Sequence, residues 1–138
     1  MKIKKQLTAL IAASTLVGTL PASAHEGQHM TPEMMLSLAR VGASSLSPDG
    51  KTIVYSVGFP NIKENKIRTE LFSIASNGSG RRQLTKGIAG LHGARWIQQG
   101  RRISYISSES GEPQVWTMAP DGTDRKQVTR IEGGLSDY

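Results

Sequence analysis

The sequence predicts an all-β fold: four-stranded antiparallel propeller blades, two complete plus the start of a third, preceded by a signal peptide and one short helix. Three observations predict it. The chain repeats itself, at an offset of 50 residues between Ile53 and Ile103 and of 44 between Phe72 and Trp116. Turn-forming words, Pro48-Asp49-Gly50, Asn77-Gly78 and Asp121-Gly122, punctuate both copies. Six aromatic residues, Tyr55, Phe72, Trp96, Tyr105, Trp116 and Tyr138, fall on predicted strands at equivalent places, as a stacked-sheet core demands.

The first element is an address. Lys2, Lys4 and Lys5 precede an apolar run at 7–20 that ends in Pro21-Ala22-Ser23-Ala24, a small-x-small cleavage site. A spanning helix needs about 20 mostly apolar residues, and this run is shorter and broken by Thr8, Ser14, Thr15, Gly18 and Thr19. Residues 1–24 therefore read as a signal peptide cleaved after Ala24. The mature chain is expected to be periplasmic or secreted, with no stable membrane anchor. The chain has no Cys, which removes thiolate metal sites, disulfides, a thiol nucleophile and a Cys-borne lipid. The formal charge of +6 also shrinks once located, because three of its lysines lie in the first five residues. Arg81-Arg82, Arg101-Arg102 and Arg125-Lys126 then read as a solvated rim, and nucleic acid is not an expected partner.

Residues 25–42 form an N-terminal segment. His25-Glu26-Gly27-Gln28-His29 satisfies the H-E-x-x-H zinc pattern, but that chemistry needs a helix to bring both imidazoles onto one ion. A predicted chain end with a central Gly does not supply one, and no metal site is assigned. A short helix follows. Thr31 is its predicted N-cap, Pro32 its first residue, Glu33 its acidic first turn, Met30 and Met35 a hydrophobic staple, and Gly42 its close after Arg40. Met34, Met35 and Leu38 make an apolar face expected to pack on a sheet or loop.

The partial propeller occupies 43–138. Blade 1, about 43–85, has predicted strands at 43–46, 52–58, 69–76 and 81–85, with the difference between the two offsets placed as a loop insertion at 59–68. Blade 2, about 93–129, has them at 93–96, 102–108, 114–119 and 125–129. Pro48-Asp49-Gly50 fits a type I turn, and Asn77-Gly78 and Asp121-Gly122 are tight-hairpin signals that place Gly78 and Gly122 at positive φ. Trp96 and Trp116 are expected core residues. Gly133-Gly134-Leu135-Ser136-Asp137-Tyr138 has the spacing of a segment leading into a third copy, with its start at about 135–138. Two blades do not close a ring, so the expectation is an N-terminal fragment of a longer protein.

Leu46-Ser47-Pro48-Asp49-Gly50-Lys51 and the run from Asn77 to Thr85 resemble the propeller repeats of the TolB protein and of prolyl-oligopeptidase-family serine peptidases. Together with Thr31-Pro32-Glu33, Ala39-Arg40-Val41, Tyr55, Phe59-Pro60 and Glu70-Leu71-Phe72, they more specifically resemble the mature start of secreted bacterial dipeptidyl peptidases of the dipeptidyl-peptidase V type. The resemblance implies a propeller that gates and orients peptide substrates for a catalytic α/β-hydrolase domain, expected beyond the chain end. The implied Ser/Asp/His triad lies in that domain beyond Tyr138: no G-x-S-x-G elbow occurs here, and no catalytic, cofactor-binding or metal residue is assigned in this chain. Peptides are the implied partners, homo-oligomerisation is left open, and no cofactor is expected. The alternative is a non-enzymatic, TolB-like binding propeller.

Overall fold

A computed structural model describes residues 29–138; the expected signal peptide, and His25 and Glu26 of the zinc-like pattern, lie outside the described residues. Helix α1 (Pro32–Ser37) starts as its sequence dictates. The Thr31 side chain accepts from the Met34 N–H at 3.2 Å, Pro32 fills a position whose N–H has no partner to lose, and Glu33 sits in the positive first turn.

Its end differs from expectation. Leu38 is already extended (φ −65°, ψ 131°), and β1 begins at Arg40, where Arg40 and Val41 pair with Gly58 and Val57. Gly42 is thus no helix stop. It lies where the β1 register slips, and a Cβ there would stand 2.5 Å from Ser56 Oγ; the glycine serves close approach rather than helix termination. Nor is the apolar helix face buried, since Met34, Met35 and Leu38 are all exposed.

Two four-stranded antiparallel sheets follow in simple meander order. The first holds β1 (Arg40–Leu46), β2 (Thr52–Asn61), β3 (Lys66–Ala75) and β4 (Arg82–Gln83). The second holds β5 (His92–Ile97), β6 (Arg102–Ser107), β7 (Gln114–Met118) and β8 (Lys126–Gln127). The insertion expected as a loop at 59–68 is instead an extension of the β2–β3 ladder, with Phe59 opposite Arg68, Pro60 opposite Ile67 and Asn61 opposite Lys66. Asn61 Oδ1 accepts from the Glu64 N–H, and Asn65 takes the left-handed conformation that turns the chain (φ 49°).

The repeat is reproduced pair by pair. Ile53 faces Ile74 and Tyr55 faces Phe72 in the first sheet; Ile103 faces Met118 and Tyr105 faces Trp116 in the second. The turns repeat as well. Gly78 N–H donates to Ala75 O at 2.8 Å and Gly122 N–H to Ala119 O at 2.9 Å, with both glycines at positive φ, 85° and 90°. Asn77 Oδ1 and Asp121 Oδ1 each accept from the N–H two residues on, at 3.0 Å. These are three-residue loops closed by a left-handed glycine. The Ser47-Pro48-Asp49-Gly50 turn closes with Gly50 N–H on Ser47 O at 2.9 Å. Its counterpart lacks that chemistry, and Gln98 and Gln99 are held at φ 49° and 56°.

The core lies between the sheets. Val54, Leu71 and Leu84 of the first meet Ile103, Tyr105 and Met118 of the second, sealed by Ile88 and Leu91 of the connecting segment. Trp96 and Trp116 are partly buried at its margin. Trp96 Nε1 donates to Ser45 O at 3.0 Å, tying β5 to β1, while Trp116 Nε1 is buried without a partner among the described residues. Tyr138 lies outside any strand, and its hydroxyl bonds Ser104 Oγ at 2.7 Å and Gly93 O at 3.0 Å.

Gly122 is pinned twice, by its φ and by Leu84 O, which a Cβ there would approach to 2.6 Å. Gly122→Ala is expected to lower stability by about 1–3 kcal/mol, measured by denaturant unfolding of the full-length protein.

Candidate functional site

A groove of about 1030 Å³ lies between the tip half of the β2–β3 hairpin and the segment joining the two sheets. Sequence builds it simply: the long hairpin projects because its ladder continues past Gly58, and Ile88 and Leu91 anchor the opposite wall because they are buried in the inter-sheet core. Phe59, Ile62 and Ile67 line one wall, with Lys63, Lys66 and Arg68 among its charged residues. Arg68 holds its guanidinium 5.7 Å over the Phe59 ring and 3.4 Å from Glu70.

Among the described residues, the groove's one histidine is engaged with the backbone. His92 at its edge has Nδ1 2.9 Å from Gly90 O and Nε2 3.4 Å from Ser136 O, so both ring nitrogens face backbone carbonyls rather than a hydroxyl or a carboxylate. His29 is exposed. Among the described residues, no three His, Asp or Glu side chains gather where one ion would sit, and no helix is long and apolar enough to cross a membrane.

Beside the groove lies a buried polar clasp that the sequence reading missed. Glu70 is fully buried. One carboxylate oxygen accepts from the Thr85 hydroxyl at 2.9 Å and the other from the Gly87 N–H at 2.7 Å, while Thr85 Oγ1 in turn accepts from the Leu71 N–H at 2.8 Å. The second sheet repeats the arrangement with an amide. Gln114 Oε1 accepts from Thr129 Oγ1 at 2.7 Å and from the Ile131 N–H at 3.0 Å, and its amide donates to Ile131 O at 2.7 Å. The Glu-Leu…Thr and Gln-Val…Thr spacing at the 44-residue offset was the available signal. The clasp fixes where the chain leaves each outer strand, and in the first sheet that exit forms the groove wall.

Of the basic pairs, Arg81, Arg82, Arg101, Arg125 and Lys126 are exposed, as expected of a rim, and Arg102 is half-buried. Arg81 lies 4.6 Å over the Phe72 ring. Arg102 bonds Asp124 at 2.8 Å and the Thr117 hydroxyl, Lys126 reaches Asp124 at 3.1 Å, and Arg125 reaches Tyr105 Oη at 3.2 Å and Glu109. Arg102 and Arg125 thereby tie the outer segment of the second sheet to its inner strands. Arg102 and then Lys126 hold the Asp124 carboxyl below its usual value. The Ser47 hydroxyl does the same for Asp49 and the Thr123 hydroxyl for Asp121, while burial pushes Tyr105 up.

No family model matches the chain. It is 43% identical over 146 residues to dipeptidyl-peptidase 5 of Porphyromonas endodontalis and 41% identical over 139 residues to dipeptidyl-peptidase 5 of Porphyromonas gingivalis. Each alignment covers 99% of this chain, which spans only 21% and 20% of those relatives' lengths. Among solved structures it superposes on the AtxE2 isopeptidase (TM-score 0.63, 18% identity, 79% of this chain and 22% of that one). It also superposes on the β-propeller domain of the Trilobed protease from Pyrococcus furiosus (0.53, 17%, 68% and 28%) and on TolB from Acinetobacter baumannii (0.55, 21%, 67% and 22%). The two sheets are propeller blades.

Two outcomes follow from the site. Glu70→Gln is expected to stay within about 1 kcal/mol of the parent, because Gln114 already shows an amide doing this work, whereas Glu70→Leu orphans the Thr85 hydroxyl and the Gly87 N–H and costs roughly 3 kcal/mol or more; thermal unfolding of the full-length protein measures both. Asp49, Asp121 and Asp124 have depressed folded-state values, so their contribution is complete above the ordinary aspartate pKa and is lost as pH falls through the depressed ones. Stability is therefore expected to decline below about pH 4, and Asp124→Asn to flatten that decline in melts run from pH 7 to pH 2.

Proposed function

We propose that this chain is the N-terminal propeller portion of an exported serine exopeptidase of the dipeptidyl-peptidase type, which releases dipeptides from peptide N-termini. The carrying observation is the 41–43% identity to dipeptidyl-peptidase 5 over 99% of the chain. The chain spans about a fifth of those relatives, so the proposal assigns the Ser, Asp and His of the reaction to the polypeptide beyond Tyr138. The role proposed for these two blades is steric: they form part of a ring that admits extended peptides, excludes folded proteins and keeps bulk water from the acyl-transfer step. The groove beside the long hairpin, with Phe59, Ile62 and Ile67 on one wall and Lys63, Lys66 and Arg68 beside them, suits an extended segment. Residues 1–24 support export, with cleavage after Ala24 and a periplasmic or secreted product.

The second reading is a TolB-like binding propeller without chemistry. It is favoured by superposition on TolB at TM-score 0.55, at an identity that speaks for the fold alone.

Full-length protein recovered from culture fluid or periplasm is expected to begin at His25 by N-terminal sequencing. It is expected to release a fluorophore from dipeptidyl-aminocoumarins and to lose that activity on treatment with a serine-directed fluorophosphonate. An exported protein with no hydrolysis of any dipeptidyl substrate supports the binding reading instead.

A further inference from the structure

The two copies of the clasp differ in charge, and the difference points to a further use for the first. At the 44-residue offset Glu70 corresponds to Gln114, Arg68 to Glu112 and Lys66 to Ser110. Gln114 shows that an amide closes the clasp, so a carboxylate at position 70 has another task. Glu70 Oε1 stands 3.4 Å from Arg68 Nε, and the two side chains are 1% and 63% exposed. A buried acid thus holds the inner edge of a guanidinium whose outer part is in solvent. Phe59, directly opposite Arg68 across the ladder, sets its ring 5.7 Å from the same guanidinium. Both holds leave the terminal nitrogens of Arg68 unused, for they donate no hydrogen bond among the described residues. A guanidinium fixed in this way loses little side-chain freedom when it takes a carboxylate through two parallel N–H donors.

Arg68 does not stand alone. Lys66 lies two residues before it on the same face of β3, opposite Asn61, and Lys63 sits at the hairpin tip. Both lysines are exposed and form no ion pair among the described residues. Against these three cations, Glu64 is the one acid among the groove's lining residues. Side chains two apart on a strand are about 7 Å apart, which is also the spacing of alternate side chains in an extended peptide. We propose that the groove binds the part of a peptide substrate downstream of the released dipeptide, through acidic side chains at alternate positions. Arg68 takes one carboxylate and Lys66 the next, and Glu70 is the residue that positions Arg68. A single terminal carboxylate would engage only one of these cations, so the row favours side chains. The proposal deepens, and rests on, the reading of this chain as part of a peptidase that acts on peptide N-termini.

The test uses full-length protein and two peptides with the same first four residues and an amidated C-terminus, one carrying Asp at alternate later positions and the other Asn. At low salt the Asp peptide is expected to have a kcat/KM about tenfold higher, expressed in KM, because uniform binding away from the scissile bond leaves kcat alone. Salt at about 0.5 M removes most of that advantage. Arg68→Gln and Lys66→Gln are each expected to reduce it about threefold or more. Taking the ratio of the two peptides within each variant cancels any general loss of activity. Glu70→Gln is expected to lower the ratio while leaving the melting midpoint nearly unchanged. Equal kcat/KM values, or an advantage that survives both cation substitutions, overturn the proposal. Equal values joined to a gain when the Asn peptide carries a free C-terminal carboxylate overturn it in favour of the chain terminus. Calorimetric titration of both peptides into fluorophosphonate-treated protein separates this proposal from the peptidase reading. A binding preference without cleavage by the untreated protein overturns the peptidase alone, and cleavage without a preference overturns the acidic-segment site alone.

Discussion

Face-to-face packing of one sheet on the next is the constraint on which everything else depends. Neither four-stranded sheet has a core of its own; each is a thin layer whose apolar rows are removed from water only by a neighbour. Val54, Leu71 and Leu84 against Ile103, Tyr105 and Met118 form that contact. Burial of this kind is non-directional and roughly proportional to the area removed from water. Register is what makes it specific: the ladder pairs set which residues face the seam, and a one-residue slip would turn each row to the wrong side.

The polar groups are arranged to protect that register. The outermost strands are only two residues long, too short for their ladder bonds to hold them. Side chains take over. Thr85 and Thr129 bond back to the neighbouring strand, Glu70 and Gln114 hold the threonines, and Arg102 and Arg125 reach across the sheet to Asp124 and Glu109. A carboxylate in one copy and an amide in the other perform the same task, since the requirement is an acceptor for a hydroxyl and an N–H rather than a charge.

Much of this was legible in the sequence because the repeat supplied two readings of each element. The strand order, the positive φ at Gly78 and Gly122 and the Thr31 cap all follow from residue types whose local physics is strong. What was missed shares a cause: the residue type was compatible with two structures and only tertiary contacts decide. Gly42 reads equally as a helix stop or as a point of close approach. The charged tip Lys63-Glu64-Asn65-Lys66 reads as a loop, yet Phe59 and Ile67 keep the ladder paired beneath it. Met34, Met35 and Leu38 have a packing pattern, yet all three are exposed among the described residues. The clasp at Glu70 was hidden because strand alternation gives no sign that a glutamate will point inward. Of the groove, the sequence offered only the extra length at 59–68, since its opposite wall comes from residues that fold back from the next repeat.

The short outer strands have a further consequence, for life in a crowded compartment. A long flat sheet edge is a template on which passing chains add strands. Here each outer edge offers two residues of ladder before the chain turns away into Thr85 or Thr129, too little for a stranger's backbone to zip onto. A wheel built of such blades keeps its perimeter inert, so that the sheets can recruit one another through their faces without recruiting anything through their rims.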